Sequence, residues 1–302
     1  MGRARASERV NVTIESTARL TRRAQELGFA VPAINVVDDL SLRAVIAAAE
    51  VTSAPIIVQV SVKTLRSLGL RQVRQMFDAS VSSATVPIAL HLDHCPNRQV
   101  IDEVVRAGWS SVLFDASDRD LAQAEAETRD VVAQAHSTGV DVESEIENVI
   151  GVEDGVGSDV ALHAYTVDEL VGVAERTGAD LLAPQLGTAH GMYKTAPELL
   201  PERARELANR TGRPIVLHGG TGLTDGDFRS FIEAGVSKIN ISTALKHTYM
   251  QSALVSLNRS AELDKWDPPT LFKDISDALQ QMLVEHIEQF GAAGRANSVR
   301  AA

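Results

Sequence analysis

Val86-Pro87-Ile88-Ala89-Leu90-His91-Leu92-Asp93-His94 is a short apolar run that ends in ionisable side chains. The run from Val86 to Leu92 reads as a buried strand. Working outward, the same design recurs. Strands are predicted at Val31 to Val36, Pro55 to Ser61, Ser110 to Asp115, Val140 to Glu145, Ala179 to Ala183, Pro214 to His218 and Val236 to Ile241. Amphipathic stretches such as Asp39 to Val51 and Leu121 to His136 lie between them, and glycines such as Gly28 and Gly178 stand where helices should end. Strands alternating with helices imply a parallel sheet with helices outside. Eight such units close into a TIM (β/α)8 barrel, whereas doubly wound sheets carry about five or six strands. No G-x-G-x-x-G follows the first strand, which also disfavours a dinucleotide fold. The expected class is α/β, a TIM barrel with an N-terminal helix, Ile14 to Leu27, over its bottom. Extra C-terminal helices follow, including Leu271 to Phe290.

The 302 residues are 44% apolar and 23% charged, globular values that suit one barrel of roughly 250 residues with additions. A single domain over 1–302 is expected, with 1–12 a disordered tail. That tail is basic but lacks the apolar core of a secretory signal. A net charge of −11 excludes a general nucleic-acid binder, which needs a basic face. It leaves room for a small anionic substrate. The lone Cys95 excludes a disulfide framework and a Cys-rich zinc module, and a cytoplasmic location is the default. No apolar run approaches the roughly 18 residues of a membrane helix.

Barrel active sites form at the C-terminal ends of strands. Six consecutive strand ends carry polar groups: His91-Leu92-Asp93-His94, Asp115, Glu143-Ser144-Glu145, Gly187-Thr188-Ala189-His190-Gly191, His218-Gly219-Gly220-Thr221-Gly222 and Asn240-Ile241-Ser242-Thr243. His94, His190 and His218 are either hydrogen-bonded rim histidines or metal ligands, since three His with an open fourth position make a catalytic zinc pattern. Asp93 either caps the next helix or acts as a general acid or base. Asp115 and Glu145 are candidates to orient imidazoles or to make a second metal site. Glu153 lies in Gly151-Val152-Glu153-Asp154-Gly155-Val156-Gly157, read as a long flexible loop that is either solvated surface or a lid. The Gly-rich turn after His218 suits a phosphate.

With these residues in place, the chain resembles the class II, zinc-dependent ketose-bisphosphate aldolases. The matched segments run in order from about Val31 to Arg295. They include Val31-Pro-Ala-Ile-Asn35, Gln59-Val-Ser61, Leu90-His-Leu-Asp-His94, Asp115-Ala-Ser117, Val142-Glu-Ser-Glu145 and Gly151-Val-Glu-Asp154. Leu186-Gly-Thr-Ala-His-Gly191, Val216-Leu-His-Gly-Gly-Thr-Gly222, Lys238-Ile-Asn-Ile-Ser-Thr243 and Gln289-Phe-Gly-Ala-Ala-Gly-Arg295 complete them. The resemblance implies that His94, His190 and His218 bind Zn2+ or another divalent ion, with Asp115 and Glu145 as an alternate or second metal position. It implies that Asp93 exchanges the C4 hydroxyl proton and Glu153 the proton on the dihydroxyacetone-phosphate carbon, around a zinc-stabilised enediolate. Gly191, Gly219, Thr221, Asn240, Ser242 and Thr243 would hold the 1-phosphate, with a monovalent cation (Na+ or K+) nearby, and Asn35 and Ser61 would contact substrate.

The implied substrate is a sugar phosphate, fructose 1,6-bisphosphate first. The alternatives are tagatose 1,6-bisphosphate, a singly phosphorylated compound such as 6-phospho-5-dehydro-2-deoxygluconate, and lastly a non-catalytic sugar-phosphate binder. A Schiff-base route would need Lys238. A homodimer or homotetramer is implied, with neither nucleic acid nor membrane as partner. Five positions depart from the family pattern. Glu147-Asn148 and Ile150 replace small residues before the lid. Ser242 stands where relatives carry Asp, Asn or Ala. Pro269, in Trp266-Asp267-Pro268-Pro269, stands where many relatives have an arginine suited to the distal phosphate. Another cation, such as Lys63, Arg66 or Lys194, then serves that phosphate, or the substrate lacks it.

Overall fold

Among the described residues ten strands follow in chain order: β1 Val31–Asn35, β2 Ile56–Ser61, β3 Ile88–Cys95, β4 Ser111–Asp115, β5 Asp141–Glu145, β6 Gly151–Glu153, β7 Val156–Ser158, β8 Leu181–Leu182, β9 Ile215–Leu217 and β10 Val236–Ile241. This is a computed structural model; it describes residues 14–158, 160–191, 193 and 196–300, with backbone alone for residues 152, 153, 156 and 157. Eight strands close a parallel barrel in the order β1-β10-β9-β8-β5-β4-β3-β2, and β6 and β7 pair separately. The expected TIM barrel is therefore present. The sixth barrel strand is shorter than Ala179 to Ala183 implied, and the third runs on past Leu92 to Cys95. The extension carries a register shift between Leu92 and Cys95 and a positive φ of 41° at His94. A bulge of this kind re-aims a side chain, here at the mouth.

Because strand side chains alternate faces, residues two apart share the barrel interior. Register fixes which of them stand level. Glu143 pairs with Leu181 and Val216 with Lys238, so Leu181, Ala183 and Val216 point inward with Glu143 and Lys238. With Ala18 they form a small apolar cluster separate from the main core. Ala18 belongs to the helix Thr17–Leu27, whose first turn seals the barrel foot. Thr17 shares a 2.6 Å hydrogen bond with Ser111, and the Asp141 carboxylate accepts from Ser16 Oγ and Ala18 N, both at 2.8 Å. This helix starts later than Ile14, which instead bridges to Ile88.

The outward strand faces pack on the surrounding helices in one continuous apolar core. The last two long helices, Thr243–Leu263 and Pro268–Gln289, pack on each other, and the second also covers Asp39–Thr52. Pro268 and Pro269 open that second helix, where a missing N–H costs nothing. Among the described residues no helix is long and apolar enough to cross a membrane.

Candidate active site and metal centre

Above the apolar foot the barrel interior is polar in two levels. The lower level is built by His91, Ser111, Glu143 and Lys238, every one fully buried. Glu143 is its hub. Its carboxylate forms an ion pair with Lys238 Nζ at 2.8 Å and accepts from His218 Nε2 at 2.9 Å. His91 bonds Ser111 through Nδ1 at 2.7 Å. Lys238 also donates to Asn240 Oδ1 at 2.8 Å. A lysine engaged by both Glu143 and Asn240 is poorly placed to be a Schiff-base nucleophile. Since a carboxylate only accepts, the proton of His218 sits on Nε2 and its Nδ1 lone pair is left for the mouth.

The upper level lies nearer the C-terminal ends of the strands and holds Asn35, Ser61, Asp93, Asp115, Glu145 and Asn240, all buried. Asp93 accepts from Asn35 Nδ2 at 2.7 Å and from Asn240 Nδ2 at 3.4 Å. Both amides are themselves oriented by neighbours, Asn35 by Gln59 at 2.8 Å and Asn240 by Lys238. The helix-cap reading of Asp93 is overturned: the next helix starts at Arg98 and is capped by Asn97. Cys95 beside His94 is buried, its thiol pushed up to about 11 chiefly by burial, so it packs as a thiol.

His94, His190 and His218 come together. Their ring centroids are 5.0 Å apart for His94–His190, 4.7 Å for His94–His218 and 6.0 Å for His190–His218. Two sets of potential ligand atoms gather within 4.8 Å of one another, the three histidines and His94 with Asp115 and Glu145. Glu145 Oε2 lies 3.3 Å from His94 Nδ1 and 3.4 Å from His218 Nδ1, and Asp115 Oδ2 lies 3.4 Å from His94 Nδ1. His94 Nε2, His218 Nδ1 and Glu145 Oε2 are buried with no hydrogen-bond partner among the described residues. Buried polar atoms are ordinarily satisfied, and mixed N and O donors at this spacing fit a divalent ion.

The electrostatics agree. Burial works against charge on His94, but Glu145, Asp93 and Asp115 outweigh it and raise its pKa well above the ordinary value. Burial, then charged His94, hold His190 and His218 well below theirs. Burial lifts Glu145 well above the carboxylate range. Asp115, despite burial, is held low by its hydrogen bond with His94 and by Ser117. The carboxylates that favour a proton on His94 would equally favour a cation beside it.

Gly219 lets the turn after β9 reach the segment of His190. Its φ is +66°, and a Cβ there would meet the Ala189 carbonyl oxygen at 2.4 Å. Tyr193 clamps this junction, its hydroxyl donating to Gly219 O at 2.7 Å. Thr221 Oγ1 accepts from Ala244 N at 3.2 Å, which leaves its own proton for a ligand. Ser242 Oγ is buried with no partner among the described residues, and Thr243 begins the helix after β10. Gly191 continues the His190 segment.

The segment after β5 is not a long flexible loop. β6 and β7 form an antiparallel hairpin across Asp154-Gly155, with φ of +52° and +85°. Positive φ at both central residues is the type I′ pattern that Asp-Gly favours, a signal present in the sequence and not used there. Glu153 stands at the end of β6, and its side chain lies outside the described residues, as does Lys194.

The hairpin root is anchored by Glu147 and Asn148, two of the departures noted above. Buried Glu147 accepts from Arg203 Nη2 at 2.8 Å, Tyr165 N at 2.8 Å and Gln185 N at 3.1 Å. Asn148 Nδ2 donates to Val160 O at 2.9 Å, and its Oδ1 accepts from Leu162 N at 2.7 Å. His190 N donates to Ile150 O at 2.8 Å, which ties the root to a candidate ligand. Sequence reasoning assigned no role to Gln59, Glu143 or Arg203. The signal for the first two was their place one alternation below Ser61 and Glu145.

The family model for class-II fructose-bisphosphate aldolase matches residues 15–295. The "Probable fructose-bisphosphate aldolase" of Bacillus subtilis (strain 168) is 34% identical over 284 residues, 93% of this chain and 99% of that protein. The fructose-bisphosphate aldolase of Staphylococcus aureus is 34% identical over 276 residues, 90% of this chain and 96% of that protein. Among solved structures, the YdjI aldolase from Escherichia coli K12 superposes with a TM-score of 0.80 at 26% identity, covering 94% of this chain and 100% of that one.

Removing Glu147 leaves Arg203 half-stranded and two backbone N–H groups unpaired. Glu147→Ala should destabilise the fold by ~3–5 kcal/mol, as for a broken buried pair. Urea unfolding checks this, and a loss below about 1 kcal/mol would show the clamp to be a surface-type pair.

Proposed function

Since the chain belongs to the class II fructose-bisphosphate aldolases, a lyase family, we propose that it cleaves a ketose 1,6-bisphosphate, fructose 1,6-bisphosphate first, to dihydroxyacetone phosphate and glyceraldehyde 3-phosphate. The observation that carries this reading is Asp93, a buried carboxylate beside His94, held by two amides that are themselves held. A binder has no need of a carboxylate fixed in this way.

His94, His190 and His218 would hold Zn2+ or another divalent ion, with Asp115 and Glu145 as its alternate or second position. The ion would supply a Lewis acid for negative charge developing on the substrate. Asp93 accepts the C4 hydroxyl proton as the C3–C4 bond breaks. Asn35 and Asn240 keep its oxygens aimed, because neither amide can rotate without losing Gln59 or Lys238. Glu143 holds His218 in the tautomer that presents Nδ1. Glu153, carried over the mouth by the hairpin, returns a proton to the dihydroxyacetone-phosphate carbon. Gly191, Gly219, Thr221, Asn240, Ser242 and Thr243 bind the 1-phosphate, with a monovalent cation beside it, while Ser61 contacts the sugar. The reading places the enzyme in the cytoplasm.

It is also read as a homodimer or homotetramer built on the last helices. Met250, Leu254 and Leu257 recur at helical spacing on Thr243–Leu263 and are 67%, 53% and 44% exposed. Trp266 and Phe272 extend this apolar surface at 67% and 52% exposure, and such patches mark contact sites. Sedimentation equilibrium should give a multiple of 32.4 kDa; a monomer at micromolar concentration would remove this part of the reading.

Triose-phosphate release from fructose and tagatose 1,6-bisphosphates, with and without a chelator, tests the activity. Cleavage should be chelator-sensitive, and Asp93→Asn should lower kcat by roughly 10²–10⁴-fold, the usual worth of a positioned general base. Metal-loaded protein that cleaves neither compound would sink the bisphosphate assignment.

Ion binding must expel the proton that His94 retains, because ligands bind deprotonated. Affinity should therefore fall as pH drops below the raised pKa of His94. Calorimetry in buffers of different ionisation enthalpy should show about one proton released per ion; a buffer-independent heat would contradict the raised pKa of His94.

A further inference from the structure

Of the candidate ligands, His190 alone stands well away from a barrel strand. His94 lies within β3, Asp115 and Glu145 close β4 and β5, and His218 directly follows β9, whereas β8 ends at Leu182. Closing the barrel therefore does not place His190; its contacts with the hairpin do. His190 N donates to Ile150 O at 2.8 Å. Ile150 bridges to Ala189 and also to Ser158 of β7. The His190 segment thus lies along the β6–β7 hairpin as a short third ply. Gly151, the first residue of β6, presses on the same backbone. Its φ is +106°, and a Cβ there would meet His190 O at 2.9 Å, His190 Cβ at 3.1 Å and His190 N at 3.2 Å. Glycine permits this close approach of two backbones.

A second set of bonds joins the same two segments upstream. Glu147 accepts from Gln185 N at 3.1 Å, Gln185 Nε2 donates to Asn148 O at 3.4 Å, and Gln185 Oε1 accepts from Gly187 N at 2.7 Å. Residues 147–151 and 185–190 are therefore fastened to each other at both ends. Parting them would strand backbone groups that have partners only across this seam. On one side of the seam the His190 ring stands 5.0 Å from that of His94. On the other, β6 runs from Gly151 to Glu153. The hairpin's turn is tied elsewhere: Asp154 Oδ2 lies 2.8 Å from Lys246 Nζ, past the end of β10, which is three strands round the barrel from β5.

We propose that Ile150 and Gly151 are positioning residues that join His190 to the hairpin as one unit, so that a divalent ion held by His190 also fixes the hairpin that carries Glu153. The inference deepens the metal reading given above and rests on it for the ion. Ligation restricts the His190 backbone, and the backbone bonded to it is restricted with it. The coupling is reciprocal: whatever the ion adds to the order of the hairpin, a seated hairpin adds to affinity for the ion.

The test is hydrogen exchange of the full-length protein, read by mass spectrometry, with Zn2+ and after chelation. Equilibrium dialysis measures Zn2+ binding separately. Zn2+ should slow exchange at 151–158 by about tenfold or more and leave the helix Thr17–Leu27, at the barrel foot, unchanged. Bound Zn2+ without slowing at 151–158, or with equal slowing in both regions, would overturn the proposal. Gly151→Ala, which touches no ion, should lower Co2+ affinity by roughly 10–100-fold and alter the visible spectrum of bound Co2+. Unchanged affinity and spectrum would overturn it as well. Where that variant does not fold, Gln185→Ala takes its place with the same expectations. If dialysis finds no Zn2+ on the wild-type protein, the metal reading fails by itself. The unit is then judged without metal: the same variant should speed exchange at both 151–158 and 185–191, and a change at neither or at one alone would overturn it.

Discussion

Glu143 is a carboxylate that water does not reach, deep in a barrel, between His218 and Lys238. A lone ion in that position would be prohibitively costly, so its partners are obligatory. Each partner then carries the constraint upward. His218 is left with one tautomer and one direction in which to offer its lone pair. Lys238 turns the Asn240 amide so that its N–H faces Asp93. The upper level of the barrel is arranged as it is because the lower level has no freedom.

That upper level holds more ionisable groups than charges it can carry. Three imidazoles and two carboxylates lie within a few ångströms, and the folded chain divides their protons unequally. Asp115 keeps its charge through His94 and Ser117, while Glu145 is pushed toward neutrality. Such splitting of neighbouring groups is a mark of sites that do chemistry. A divalent cation relieves the crowding directly, since it replaces the proton of His94 with a charge that all the ligands favour. Asp93 stands beside this cluster, held by neutral amides on both oxygens.

The hairpin after β5 adds the second constraint. Its root is fixed by Glu147 and Asn148 to Arg203, Tyr165, Gln185 and the chain after it, and through Ile150 to the backbone of His190. Its turn is fixed by Lys246 on the far wall. A segment tied at both ends has few ways to move, and the ion pair at the turn is the more exposed of the two ties. The root is a buried cluster with backbone partners.

Much of this was legible in the amino-acid order. Eight β-branched runs separated by helical stretches determine a parallel barrel, since the period of two and the period of 3.6 cannot be exchanged without burying polar backbone. The ionisable strand ends of His94, Asp115, Glu145 and His218 are likewise local facts, and barrel topology obliges them to share one mouth. Tertiary structure decided what depends on distance across the barrel. That Glu143 meets His218 and Lys238, that Asp93 is gripped by Asn35 and Asn240 instead of capping a helix, and that Asp154 reaches Lys246 are pairings between residues 58 to 147 positions apart or on opposite walls. Spacing along the chain holds no record of such pairs. They exist because closing the sheet brings strands far apart in sequence within one side chain's reach, and because a buried charge must find whichever partner the closed barrel places beside it.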